Sequence, residues 1–380
     1  MGDDCNSDPI GKAIDQWLVR DRRVTAAEQV VDYHGYIWKK VLFIILCAVG
    51  AFLISGVALT VGPYDISVLE SYRVIWDVIV GTVTGADLSA LKETSDYRVI
   101  WEMRLPRIVT GVLTGFGLAA AGVVMQCILR NPLADPYTTG ISSGASFGAT
   151  LAIGLGISVA GMSGYAVAAN AFLFSLIPTA IILFVSKMKG ASPTTMVMAG
   201  IAVMYIFNAM TTMIKLWVDS DTLANIFVWS VGSIEIGSWD NIGIMFVFVL
   251  LASIAMMVMS RRLNVLSAGD ESARSIGVDA NRMRILALLV VSFITAGIVS
   301  FTGLIGFVGL VCPHIARIFV GSDVRYLLPA SAFFGSALIM FADIVGRTVT
   351  ESTLQVGVIT AFIGGPLFLW LIIRQKREVW

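Results

Sequence analysis

The chain is divided into a succession of long apolar runs, and this pattern limits its possible folds more than any other feature. Runs long enough to cross a hydrocarbon core of about 30 Å occur at about 41–61, 105–128, 139–158, 165–187, 193–217, 241–260, 283–303, 305–320, 326–346 and 354–373. Only Thr302, Gly303 and Leu304 separate the seventh from the eighth, so nine or ten spans are expected. The eighth is short and carries Pro313, His314 and Arg317, which predicts a broken or tilted helix. With 57% hydrophobic and 14% charged residues, the chain could not cover its apolar surface in water, where a soluble domain carries about 25% charge. Backbone in lipid must be hydrogen-bonded internally. The expected fold class is therefore an all-α membrane protein with about ten transmembrane helices.

Basic residues set the orientation. With the N-terminus inside, the cytoplasmic segments hold 19 of the 26 Lys and Arg, among them six up to Lys40, five from Arg261 to Arg284 and three at the C-terminus. The excess of basic residues on one side places both termini in the cytoplasm. Trp38, Trp101, Trp217, Trp239 and Trp370 fall near span ends, as interfacial anchors do. Two polar regions lie outside the spans: residues 1–38, a cytoplasmic tail with an amphipathic helix expected around Thr25–Tyr36, and the external connection 62–103, with a helix expected near Val68–Val83. The membrane domain is then 39–380. No cleavable signal peptide is expected, because the first 38 residues are polar and the first apolar run is too long.

Several function classes are disfavoured. Formal net charge is zero, which gives no reason to expect a nucleic-acid partner. GxxxxGK[ST] and HExxH are missing, so neither a nucleotide site nor a zinc-protease site is expected in this chain, and the GxSxG strings at 140–144 and 144–148 fall inside an apolar run without a histidine or acid. Cys5, Cys47, Cys127 and Cys312 lack metal-site spacing, and His34 and His314 are too few for a histidine site. An ion-coupled transporter needs ionisable groups deep in the membrane. The clear instance is Asp343, whose Arg347 four residues on satisfies it on the same helix face, so a structural role is expected there. ATP-independent transport is accordingly the less favoured class. Gly140, Gly144 and Gly148, and likewise Gly111 and Gly115, predict close helix approach.

The segment SAGDESARSIGVD, 267–279, lies between the sixth and seventh spans and reads as a short capped helix on the cytoplasmic face. Ser267 with Asp270 fits an N-terminal capping pattern, and acidic Asp270 and Glu271 favour the first turn. Gly277 is expected to stop this helix and Asp279 to cap the next. Ala268, Ala273 and Ile276 are the apolar contacts such a helix could offer a partner.

These residues resemble a known motif. Glu271, Ala273 and Gly277 are similar to the EAA-type cytoplasmic motif of ABC importer permeases. RLPRIVTGVLTGFGLAAAGVVMQCILRNPLADPYTTGISSGASFGA, from Arg104, and GLIGFVGLVCPHIARIFVGSDVRYLLPASAFFGSALIMFADIVGR, 303–347, resemble the signature of one branch, the type II permeases for iron–siderophore, haem and cobalamin uptake. The likeness covers roughly residues 40–375. It implies a homodimer with ten spans per subunit in the cell membrane, two cytoplasmic ABC ATPase subunits that hold the ATP and magnesium, and a soluble substrate-binding protein outside. No cofactor is implied in this chain.

Site residues follow from the same resemblance. The cytoplasmic coupling segment 262–282 would hold the ATPase socket, formed by Ala268, Gly269, Glu271, Ala273, Ile276 and Gly277. Arg104, Arg107 and Arg347 match arginines that grip acidic residues on the binding protein, a task suited to exposed guanidinium forks. Ser192, Pro193 and Thr194 match the inner gate, and Pro193 departs from the small hydroxyl residue often found there. The 38-residue tail is longer than the family's usual start. The expected function is a permease subunit importing a metal chelate, with an oxyanion such as molybdate as the alternative cargo.

Overall fold

The computed structural model describes residues 26–159, 164–235, 237–349 and 353–374 of the chain, with side chains from residue 36 onward. The terminal segments 1–25 and 375–380, most of the expected tail among them, lie outside the described residues. Every regular element that is described is helical. In chain order these are α1 (Ala26–Thr60), α2 (Val68–Thr84), α3 (Ser89–Lys92), α4 (Ser95–Tyr97), a π-helix (Arg98–Arg104), α5 (Leu105–Leu129), a 3-10 turn (Pro136–Thr139), α6 (Ile141–Leu155), α7 (Ala166–Lys189), α8 (Pro193–Lys215), α9 (Ser220–Val231), α10 (Trp239–Ser267), α11 (Asp270–Ser275), α12 (Ala280–Thr302), α13 (Val308–Val320), α14 (Val324–Thr348) and α15 (Val356–Arg374).

Each expected apolar run is a helix. Seven helical stretches are long and apolar enough to cross a membrane, and α6, α13 and α15 are shorter apolar helices. The helix expected around Thr25–Tyr36 is not a separate element: α1 runs unbroken from Ala26 to Thr60. The external helix forms as α2, fixed by a capping box in which Ser67 Oγ accepts from Glu70 N and Glu70 returns a bond to Ser67 N. The sequence reading missed α9, whose 12 residues are too few for a span; Asp219 caps it through Asp221 N and Thr222 N.

The helix α5 lies at the centre. Its apolar window is 78% buried, against 17% for α1, and it packs on α1, α8, α10, α12, α13 and α14. Close approach here depends on glycine. A methyl group at Gly122 would lie 1.9 Å from the Gly309 carbonyl oxygen of α13, and one at Gly115 would lie 2.2 Å from the Gly335 carbonyl of α14. Lipid supplies no hydrophobic drive between helices, so such backbone contact is what holds them. The seam of α6 against α7 follows the same rule, with Gly144 on Phe174 and Gly148 on Asn170.

Two helices stop short of a full crossing. At 1.5 Å per residue, the 13 residues of α13 and the 15 of α6 reach roughly 20 Å, less than the hydrocarbon core. Each is completed by irregular backbone: 303–307 enters α13 through Phe307 in the left-handed region (φ 68°), and the 3-10 turn leads into α6. These links arise at opposite ends of the bundle and meet inside it, where Tyr137 Oη donates to the Ile305 carbonyl at 3.0 Å. Irregular backbone is tolerated at that depth because protein, not lipid, surrounds it.

Candidate functional site

The segment between α10 and α12 is built by its two glycines. Gly269 (φ 122°) ends the turn after α10 and Gly277 (φ 81°) ends α11, both in backbone regions that side chains disfavour. Val278 N then closes back on the Ala273 carbonyl at 2.8 Å and Gly277 N on the Arg274 carbonyl, a glycine-terminated stop. Asp279 caps α12 by accepting from Arg282 N at 3.1 Å. The expected Ser267–Asp270 cap does not form. Ser267 Oγ donates instead to the Asn264 carbonyl, Gly269 takes the N-cap position, and Asp270 points inward.

The inward direction of Asp270 explains how α11 is held. Its carboxylate takes two bonds from Arg284, one from NH1 at 2.9 Å and a shorter one from NH2, and Arg130 stands 3.8 Å away. Arg284 is fully buried. Its Nε donates to the Ile128 carbonyl at 3.0 Å, in the last turn of α5, and its NH1 also reaches the Ala191 carbonyl at 3.3 Å. The Arg284 hydrogen bonds hold the Asp270 carboxyl below the usual carboxylate range; partial burial opposes this, and the charges of Arg284, Arg130 and Arg274 reinforce it.

The expected socket residues divide into two groups. Ala268, Glu271 and Ile276 are exposed, with Ile276 at 69%. Ala273 is fully buried in the main core, so its methyl group anchors α11 to the bundle and is not available to a partner. Gly269 and Gly277 shape the backbone. The expected gate residues Ser192, Pro193 and Thr194 directly follow Ala191, whose carbonyl accepts from Arg284. Ser192 is the N-cap of α8, its Oγ accepting from Thr195 N at 3.1 Å. Pro193 occupies the first helical position, where its missing N–H is no loss and its fixed φ suits the turn. Thr194 follows it in the first turn.

The structure brings Arg104, Arg107 and Arg347 together at the end of the bundle away from α11, but with a geometry the sequence did not suggest. Asp343 is fully buried and bridges Arg107 Nε at 2.8 Å and Arg347 NH2 at 2.7 Å. Arg107 also faces Glu235 at 3.6 Å. Arg104 donates to the Leu59 and Tyr64 carbonyls, and Arg347 to those of Ala58 and Val61. The forks are not exposed as expected: side-chain exposure is 12% for Arg107 and 8% for Arg347, and Arg104 is 6% exposed. The reason is local. The last carbonyls of α1 have no partner within the helix, and cationic forks satisfy them.

Sequence reasoning missed the role of Arg284, and it read Asp270 as a local capping acid rather than as the partner of that arginine. The available signal was a lone arginine at the start of an apolar run, since a charge there requires a buried partner. Among the described residues, no group of three or more His, Cys, Asp and Glu comes together as a metal site.

A bundle of apolar helices of this length, with paired charges at its two ends, is that of a multi-pass membrane protein. Comparison with known proteins specifies the kind. The FecCD transport family matches residues 43–374. An ABC transporter permease protein of Methanocaldococcus jannaschii is 40% identical over 356 residues, covering 91% of this chain and 98% of the relative. A cobalamin import permease of Halobacterium salinarum is 40% identical over 284 residues, 74% of each chain. Further relatives from Yersinia pestis, Haemophilus influenzae and Escherichia coli are named for hemin, molybdate and ferric enterobactin. Among solved structures, a metal-chelate-type ABC transporter in an inward-facing conformation aligns with a TM-score of 0.75 and 29% identity, over 87% of this chain and 99% of that one. The chain therefore belongs to the FecCD transport family, as a multi-pass ABC importer permease of the cell membrane and not a catalytic enzyme.

Proposed function

We propose that this permease imports a metal chelate (an iron–siderophore, haem or cobalamin) as a homodimer with both termini in the cytoplasm. Two cytoplasmic ABC ATPase subunits would supply ATP hydrolysis, and a soluble binding protein would deliver cargo outside. The observation that carries the ATPase contact is α11, a short helix anchored by buried Ala273 and Asp270–Arg284, with Glu271 and Ile276 turned outward. A surface helix held this firmly yet presenting an apolar and an acidic side chain suits docking into a partner's cleft. The bias of basic residues supports the orientation.

Ser192, Pro193 and Thr194 would form the inner gate, since they begin α8 beside the coupling helix. Docking of the binding protein at Arg104, Arg107 and Arg347 belongs to the same proposal. Because their forks are occupied internally, acidic residues of the partner would compete with Glu235 for Arg107 first, the pair nearest the surface. Cargo follows from the named relatives, and the Haemophilus influenzae molybdate permease favours an oxyanion as the second reading.

The test is affinity purification from native membranes of the intact chain and of a Glu271→Arg, Gly277→Trp double variant, with copurifying proteins identified by mass spectrometry. An ATPase that accompanies the intact chain and is lost from the folded variant is the expected result. No ATPase with the intact chain, under conditions that preserve the complex, would overturn the reading.

A further inference from the structure

We infer that Arg284 is the positioning residue that transmits movement of the coupling helix α11 to the inner gate. The inference rests on the permease reading above and goes beyond it, because that reading places a socket and a gate but no link between them.

The geometry is that of a three-way junction. A single guanidinium, fully buried near the start of α12, bonds to three segments that do not belong to α12. Asp270 opens α11, Ile128 lies in the final turn of α5, and Ala191 precedes the α8 cap at Ser192. Ala191 is itself 1% exposed. The planar fork fixes the directions of all these bonds at once, so α11 cannot shift relative to the 190–192 link without breaking or dragging them. The partner most easily displaced is Asp270, whose side chain is 31% exposed while Arg284 is wholly enclosed. Glycine stands on either side of the junction: Gly269 (φ 122°) and Gly190 (φ 86°) both hold positive φ, and a Cβ at Gly190 would meet nothing within 4 Å. A load on α11 thus reaches Asp270, then Arg284, then the carbonyl that leads into the gate. A lysine at this position would keep the charge but not the fork.

The experiment uses the full complex of this chain with its ATPase in lipid nanodiscs, with cysteine placed at Thr194. Labelling of that cysteine by a membrane-impermeant maleimide is followed with and without ATP and vanadate, alongside ATP hydrolysis and thermal stability. In the otherwise unaltered chain, nucleotide should change the labelling rate severalfold. With Arg284→Lys, ATP hydrolysis should persist while the nucleotide-dependent change falls by more than half. A purely structural role would lower stability and hydrolysis together and leave no such split. If Arg284→Lys does not fold, Asp270→Ala serves instead, because it removes both side-chain bonds that tie α11 to Arg284 and leaves both carbonyl bonds of Arg284 in place; the same loss of response is expected while the ATPase still copurifies. A full response in either folded variant overturns the inference. Failure of the unaltered chain to bind an ATPase or respond to nucleotide removes the permease reading as well, and the two failures are told apart by that control.

Discussion

The two arginine clusters that close the ends of the bundle are built in opposite ways. At the outer end one buried carboxylate, Asp343, is shared by two arginines on different helices. At the inner end one buried arginine, Arg284, is shared by one carboxylate and two carbonyls. The outer acid is fully enclosed within α14, a long span, whereas the inner acid is partly exposed on α11, a helix of six residues. An enclosed pair cannot be opened without leaving a charge unpaired in low dielectric; a pair with one wet partner can. The outer cluster is therefore a rivet between α1, α5 and α14, and the inner one is a joint.

The sharpest way to break this comparison is Asp343→Ala. It strands Arg107 and Arg347, and the expected loss is about 3–5 kcal/mol, read as a large fall in the thermal midpoint of the detergent-solubilised chain. A loss near that of a surface substitution would show that the outer cluster is wet and is no rivet. Next comes Gly122→Ala, which pushes α5 against the α13 backbone. It should cost about 1–3 kcal/mol by the same assay and loosen both ends together, since α5 carries Arg107 at one end and the Ile128 carbonyl at the other.

Asp270→Asn should cost less than Asp343→Ala, about 1 kcal/mol, because the amide oxygen still accepts from Arg284 and the side chain is partly in solvent. Equal losses at the two sites would remove the distinction between rivet and joint. Acid sharpens the same point. The folded-state pKa of Asp270 lies below its ordinary value of 3.8, so its contribution is fully present above that value and is lost as pH falls through the depressed one. Stability should be insensitive to this group from neutral pH down to about 4 and decline below it, with the decline reduced in Asp270→Asn on a thermal scan across pH. The smallest effect is expected for Ile276→Ala, within about 0.5 kcal/mol on the isolated chain, since its side chain faces outward.

Much of the architecture was legible in the residues. Hydrophobic runs located the spans, and the Thr302–Leu304 interruption marked the irregular entry to α13, whereas Pro313, expected to break that helix, lies within an unbroken run of 13 residues. Gly277 and Asp279 marked the end of α11 and the start of α12. The local capping rule failed at Ser267, because a bidentate bond from a residue 14 positions away outweighed one local cap at Asp270.

The sequence by itself determined that this chain lives in a membrane, where its long apolar helices run, and where the short helix α11 stops. These features depend on composition, periodicity and backbone chemistry within a few residues. Only the tertiary structure decided what the charges do. Arg104 and Arg347 turned inward because the exposed carbonyls at the end of α1 lay within reach, and Arg284 joined α5, α11 and the start of α8 because three distant segments converge on it. A buried charge must find its partners across the fold, and no local pattern states which partners those are.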